Sequence, residues 1–476
     1  MAIFKKRICI FMTLVIIMIL VLGYVLIATA HITHVNKAAI AMFMGAVGWV
    51  LYICYGADYV MSQHAQGYSD FLGGATASSE AVKYYICNNI FIKYVAKASG
   101  IVFFLLATMS IIEILNNNGC FDFICEWIRT RNSRRLLWTL TCAAFLISAN
   151  LDNFTTTVMM LVIMRSIVQS RRQRMIVGSA IVLASNTGGC FTVIGDPAGV
   201  VLWGAGAVTA SNFSAYLALP AIVAWMVPTW LLGRLLPDRL DVEWPATPYR
   251  GDDTNLNRWQ RILMLLVGIG GLWFIPTFHN ITKLSPFLGA LCVLSILWVV
   301  NELFNRKLMN ADQMIQRRVP RAIQYGTLQQ VLFVMGIVLA MGVAQETGIL
   351  GFLARWIDTN IHNVWIVGIV SGLASGLIDS FTVAMTNISL YDVADATYSN
   401  TEYLSAFVQN GMFWKITAFS TGVGGSLLCF ASTSGLALMK MERMRVGWYL
   451  KNCSLRVLAG WALGFIILAL EMYIYG

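Results

Sequence analysis

A carboxylate lies in the middle of an apolar stretch that arginines close at both ends. Residues 136–149 and 154–168 form two apolar arms around Asn150-Leu151-Asp152-Asn153. Arg129, Arg131, Arg134 and Arg135 come before them, and Arg165, Arg171, Arg172 and Arg174 come at the far end. Crossing a bilayer takes about 20 apolar residues, more than either arm holds. One continuous helix would put the two arginine clusters on opposite faces of the membrane. A helical hairpin over 136–169 that enters and leaves on one side puts both in the cytoplasm, where the positive-inside rule wants them. The expectation is a re-entrant hairpin with Asp152 at its tip, inside the protein.

The remainder of the chain fits a membrane setting. It is 58% hydrophobic and 12% charged over 476 residues, too apolar for a soluble core. The net charge of +10 is carried by short segments between apolar runs, which marks cytoplasmic loops rather than a nucleic-acid surface. The ten cysteines show no CxxC or zinc spacing and read as packing residues. His31, His34, His64, His279 and His362 fall in expected loops. No nucleophile–base pair or metal signature is present, so neither an enzyme nor a cofactor is expected. Lys5-Lys6-Arg7 followed by the run 8–29 reads as a transmembrane helix, because the run is long for a signal peptide and no small-residue cleavage site follows.

Apolar runs continue at 38–55 and 99–115, with 84–98 read as an interfacial amphipathic helix. After the hairpin comes a run over 175–207, interrupted by Gly188-Gly189 and Gly195-Asp196-Pro197, then a helix at 213–236. Residues 237–259, with Pro237, Pro245 and Pro248, read as a cytoplasmic linker. The second half repeats the order: runs at 262–278, 286–304 and 328–345, a hairpin at 364–391 around Asp379, a broken run at 413–439 interrupted by residues 422–426, and a last helix at 455–475. Thr187-Gly188-Gly189 is answered by Val423-Gly424-Gly425, and Glu113 by Glu346. Each half (1–236 and 260–476) then makes an odd number of crossings, so the halves are inverted repeats. The basic segments 234–261, 306–321 and 440–451 share the cytoplasmic side with the first hairpin's ends, the acidic segment 392–402 faces away, and both termini lie outside. The fold class is an all-α polytopic membrane protein of two inverted repeats, each with a re-entrant hairpin and a broken helix.

Carboxylates at membrane depth cost at least about 2.5–3.5 kcal/mol on insertion scales and call for a functional reason. The candidates are Glu113, Asp152, Asp196, Glu346 and Asp379. Asp152, Asn153, Thr155 and Thr156 form an oxygen-rich cluster at the first tip, as do Ser185, Asn186 and Thr187 at a helix break. Asp379, Ser380 and Thr421 are their counterparts. Such oxygen sets suit a small hard cation such as sodium, and unwound backbone at membrane depth supplies further carbonyls. Asp152 and Asp196 also sit where helix caps belong, a role compatible with binding. Lys415 is an intramembrane cation, placed either to snorkel or to pair with an inner carboxylate. A buried carboxylate favours its proton while a nearby cation favours the charged form, so one site can hold either but not both. That is the minimal antiporter.

At these residues the chain resembles the NhaD-type sodium/proton antiporters of the ion-transporter superfamily, over nearly its whole length. Residues 129–138 leading into Ser148-Ala149-Asn150-Leu151-Asp152-Asn153-Phe154-Thr155-Thr156-Thr157 look like that family's hairpin. Ala184–Gly189 with Ile194-Gly195-Asp196-Pro197 looks like its first broken helix, and 422–442 like its second. Met109–Glu113 with Gly119 and Phe121 matches the preceding helix. The resemblance implies exchange of sodium or lithium for protons, a hairpin domain moving against a scaffold, and a site lined by Asp152, Asn153, Thr155, Asn186 and Asp196, with sodium at Asp152, Asn153 and Asn186. It also implies a multi-pass protein of the bacterial inner membrane, in contact with lipid and paired as a homodimer. The second half departs from the family pattern. Its tip reads Ile378-Asp379-Ser380-Phe381-Thr382, without the usual Asn and Pro, and Lys415 stands where the family often has an acid. Two rival readings remain: a cation-coupled carboxylate transporter of the same superfamily, and a sensor or subunit that keeps the fold without turnover.

Overall fold

The computed structural model describes residues 2–33, 35–121, 123, 130–244, 256–305, 321–395, 397 and 403–475. Among them every regular element is helical, apart from isolated bridges. Among the described residues, eight helices are long and apolar enough to cross a membrane. In the first half they are Phe11–Ala28, Lys37–Cys54, Ser79–Asn117 and Ala210–Gly233; in the second, Arg258–Thr282, Pro286–Asn305, Leu328–Glu346 and Val446–Ile474. Arg129, His34, residues 245–255, the segment 306–320 and most of 396–402, which carry part of the expected orientation, lie outside the described residues.

The first hairpin has arms Ser133–Ser148 and Asn153–Ile167, of 16 and 15 residues. At about 1.5 Å per residue these span roughly 24 and 22 Å, short of a hydrocarbon core of about 30 Å. Asn132 caps the first arm by accepting from the Arg135 amide, and Asp152 caps the second by accepting from that of Thr155; such caps contribute about 1 kcal/mol each. Both ends of the hairpin are tied to one strip of chain. Asn132 bridges Arg239 and Val168 bridges Val242, while Leu240 N–H donates to Arg131 and Glu243 N–H to Ile167. The two ends therefore lie side by side, as a hairpin requires and a straight span forbids. Residues 238–243, the start of the linker stretch, are pinned across its base.

The first break falls at Gly195-Asp196 as the sequence suggests, and the glycine pairs differ from the expectation. The first broken helix runs Arg171–Phe191 and resumes at Pro197–Gly204. Gly188 and Gly189 are helical, and the chain unwinds only after them. Their purpose is close approach: a Cβ on Gly188 would stand 2.3 Å from the Phe145 carbonyl oxygen of the hairpin's first arm. The second broken helix runs Met412–Gly424 and resumes at Thr433–Glu442. Here a Cβ on Gly424 would stand 2.4 Å from the Gly372 carbonyl, in the first arm of a second hairpin, Val364–Ser375 and Ser380–Leu390. The same side-chain bond closes both pairs. Ser148 Oγ donates to the Ser185 carbonyl at 2.6 Å, and Ser375 Oγ to the Thr421 carbonyl at 2.6 Å. A shared backbone plan is thus written twice.

Residues 84–98 are not a separate interfacial helix. A π-helical turn, Ile86–Phe91, joins Ser79–Tyr85 to Ile92–Asn117 without a break, because the backbone ladder continues through it. An amphipathic helix that the sequence reading did not single out follows Glu346 at Ile349–Asn360.

The chain divides into two compact units that cut across the two halves. One holds Met1–Val102, Leu328–Asn363 and Met385–Asp392. Within it the Trp49 indole donates to the Leu339 carbonyl at 3.0 Å. The other holds Phe103–Thr327, Val364–Ala384 and Val393–Gly476, and includes both broken helices. Within it Asn118 donates to Asn301 at 2.7 Å. The first unit thus joins the first two long helices of the first half to the third of the second half, and the other unit joins the first two of the second half to the end of the third of the first.

Candidate functional site

In the second unit, the first hairpin tip, the two helix breaks and the second hairpin tip meet through a chain of polar bonds. Asp152 is buried, and its Oδ2 accepts from the Thr155 amide at 3.0 Å and the Thr155 hydroxyl at 3.3 Å. That cap orients the next residue, Asn153, whose amide nitrogen donates to Asn186 Oδ1 at 3.5 Å and Asp196 Oδ2 at 3.3 Å. The Asn153 backbone N–H donates to the Gly195 carbonyl, fastening the tip to the first break. Asp196 caps Pro197–Gly204, with Oδ1 accepting from the Ala198 amide at 2.9 Å. From the second half, Ser380 Oγ donates to the same Asp196 Oδ2 at 3.4 Å. Asn186 passes the chain on, donating to Ser426 Oγ at 2.9 Å and Ser432 Oγ at 3.4 Å in the second break.

Asp196 is therefore the hub. It is buried, it accepts hydrogen bonds from the neutral groups of Asn153, Ser380 and Ala198, and it draws on both hairpins. Asp379 is buried beside Ser380, and its Oδ2 accepts from the Phe381 amide at 3.2 Å. Ser432 holds the position in the second break that Asp196 holds in the first: each caps the resumed helix. One break offers a carboxylate there and the other a hydroxyl.

The remaining candidates separate into groups. Thr156 and Ser185 have buried hydroxyls with no protein partner among the described residues, which leaves them available to a ligand. Thr187 donates back to Leu183 at 2.8 Å and Thr421 to Thr417 at 2.8 Å, so their protons are committed to their own helices. Glu113 is half-buried on Ile92–Asn117. Lys415 is buried but, among the described residues, forms no ion pair. Its Nζ stands 3.5 Å from the centre of the Tyr216 ring, a cation–π contact in place of snorkelling or a carboxylate partner. Glu346 belongs to the other compact unit. There it pairs with His64 Nε2 at 2.6 Å and accepts from the Tyr94 hydroxyl at 2.7 Å. His64, expected as a plain loop residue, is thereby part of a half-buried polar cluster. Ser426 and Ser432 were not singled out from sequence; the one available signal was Ser432 just before the helix that carries Gly435.

Chemically, the cluster offers carboxylate, amide and hydroxyl oxygens around two unwound segments. That is the donor set of a hard monovalent cation site or of a proton site, and it holds no nucleophile–base arrangement.

Comparison with known proteins identifies relatives of the chain. The model of the CitMHS family, described as citrate transporter, matches residues 24–408. "Sodium/proton antiporter 2" of Arabidopsis thaliana is 28% identical over 94% of this chain and 96% of its own. "Na(+)/H(+) antiporter NhaD" of Vibrio parahaemolyticus is 25% identical over 72% of this chain and 83% of its own. The resemblance to NhaD-type proteins read from the sequence is borne out. Among solved structures, the YdaH transporter of Alcanivorax borkumensis aligns over 84% of this chain and 90% of its own, at 11% identity and a TM-score of 0.46.

Proposed function

This chain belongs to the CitMHS family, a family of transporters rather than enzymes, and on that premise we propose that it exchanges sodium or lithium for protons across the bacterial inner membrane by alternating access. The observation that carries the proposal is the convergence on Asp196 of Asn153 from one hairpin and Ser380 from the other. Sodium is held by Asp196, Asp152 and the amide oxygens of Asn153 and Asn186, with the free hydroxyls of Thr156 and Ser185 close along the same helices. Entry of the cation expels the proton, because a buried carboxylate keeps its proton only until a positive charge arrives. The names of the antiporter relatives agree with this cargo. The halves 1–236 and 260–476 act as inverted repeats, and their matched hairpin–helix bonds support that reading.

Vesicles carrying a pH gradient test it. Sodium and lithium dissipate the gradient, potassium and citrate do not, and Asp152→Asn abolishes the effect. If sodium and lithium leave the gradient intact while Asp152→Asn behaves like the parent, the proposal is wrong. A second reading, sodium-coupled carriage of a carboxylate, draws on the family's description and on Lys415, a buried cation without a carboxylate partner among the described residues. Citrate-dependent sodium uptake that Lys415→Met removes would establish it instead.

A further inference from the structure

We propose that a pocket between the base of the first hairpin and the end of helix Ala210–Gly233 binds the phosphate headgroup of an anionic phospholipid. The cavity is about 180 Å³ and is lined by Arg134, Leu137, Trp138, Trp230, Gly233 and Arg234. One water needs only roughly 15 Å³ of such space, so the cavity holds a larger group. Both arginines sit at the ends of apolar helices: Arg134 in the first turn of Ser133–Ser148, Arg234 just past Ala210–Gly233. That is the depth at which hydrocarbon gives way to water, where tryptophans concentrate.

Three features select an anion. Two guanidinium groups line the pocket with no carboxylate among the lining residues. Among the described residues neither arginine forms an ion pair. Arg234 lies 3.7 Å above the Trp230 ring, which engages its flat face and leaves the in-plane N–H donors that match phosphate oxygens. The helix dipoles oppose one another here, the positive end of Ser133–Ser148 beside Arg134 and the negative end of Ala210–Gly233 beside Arg234, so the two guanidinium groups set the sign of the pocket. The other walls select lipid over free phosphate. Leu137, Trp138 and Trp230 are apolar, and Trp230 is 51% exposed at the outer wall. Trp138 is itself fixed edge-on against Trp225, with ring centroids 5.6 Å apart. Glycerol and the first acyl carbons would lie against these rings, with the phosphate between the arginines. Basic pockets between membrane helices take such headgroups. The site stands apart from the Asp196 cluster, and its occupancy does not depend on which ion is carried.

The full-length protein in detergent supplies the test, by native mass spectrometry and thermal unfolding with added phosphatidylglycerol, cardiolipin, phosphatidylcholine or inorganic phosphate. The expected result is retention of one phosphatidylglycerol or cardiolipin under conditions that strip phosphatidylcholine, with a rise of several degrees in Tm. The double variant Arg134→Gln, Arg234→Gln loses both effects and keeps ion-dependent flux. Equal retention of phosphatidylcholine by the unaltered protein overturns the proposal without recourse to any variant. So does the same Tm rise with inorganic phosphate, or undiminished retention in the double variant.

Discussion

The two hairpin–broken-helix pairs share their backbone and differ in their chemistry. In each, a serine ending the hairpin's first arm donates at 2.6 Å to a carbonyl of the broken helix. In each, a glycine of that helix sits against a carbonyl of the same arm. Aspartates at the two tips, Asp152 and Asp379, each accept an amide of the following helix. Beyond that the copies part. Asn153 is answered by Ser380, Asn186 by Gly422 and Asp196 by Ser432. The first copy keeps the amides and the hub carboxylate, while the second lends hydroxyls to them. The two pairs share the contacts that fix their helices in place, while the buried amides and the hub carboxylate stand in the first alone.

Breaking the chemistry gives the largest effects, and they should be unequal. Asp196→Asn or Asp152→Asn removes a charge at the first copy and is expected to cut sodium-driven proton flux about 100-fold, on the order of 3 kcal/mol. Asp379→Asn should cost about tenfold or less. Equal losses at Asp152 and Asp379 would mean the two tips bind alike. Breaking the scaffold should give equal effects. Gly188→Ala and Gly424→Ala each force a methyl group onto a carbonyl, and overpacking of this kind costs about 1–3 kcal/mol, read as matched drops in Tm. Ser148→Ala and Ser375→Ala should be smaller and again matched, about 1 kcal/mol each. Smallest of all, Thr187→Val and Thr421→Val should leave the sodium KM nearly unchanged, since both hydroxyls donate to their own helices. Thr156→Val, which removes a hydroxyl with no protein partner, should raise it.

Much of this plan was legible in the sequence. The first hairpin could be read because its arms are too short to cross and its arginines vote for one side. The glycine pairs are visible as a repeat, but their role is not legible from the sequence. A glycine in a helix signals a break and a close approach alike, and only the Phe145 and Gly372 carbonyls tell them apart. Asn153, Asn186 and Asp196 announced themselves as polar residues in apolar surroundings. Ser426 and Ser432 did not, because serines are common in membrane helices and their meaning depends on Asn186, which is distant in sequence. The pairing of His64 with Glu346 was hidden for the same reason. Residues 84–98 looked interfacial from their polarity, and nothing local revealed the π-helical turn that carries the helix onward.

The central claim is that one carboxylate, Asp196, is served by donors from both halves at once. A double-mutant cycle on the sodium KM of proton exchange in proteoliposomes tests it, using the parent, Asn153→Ala, Ser380→Ala and the pair. Each single change is expected to raise KM, Asn153→Ala by about tenfold, with a coupling of about 0.5–3 kcal/mol between them. An unchanged KM in Ser380→Ala, or effects that simply multiply, would contradict a site shared by the two hairpins.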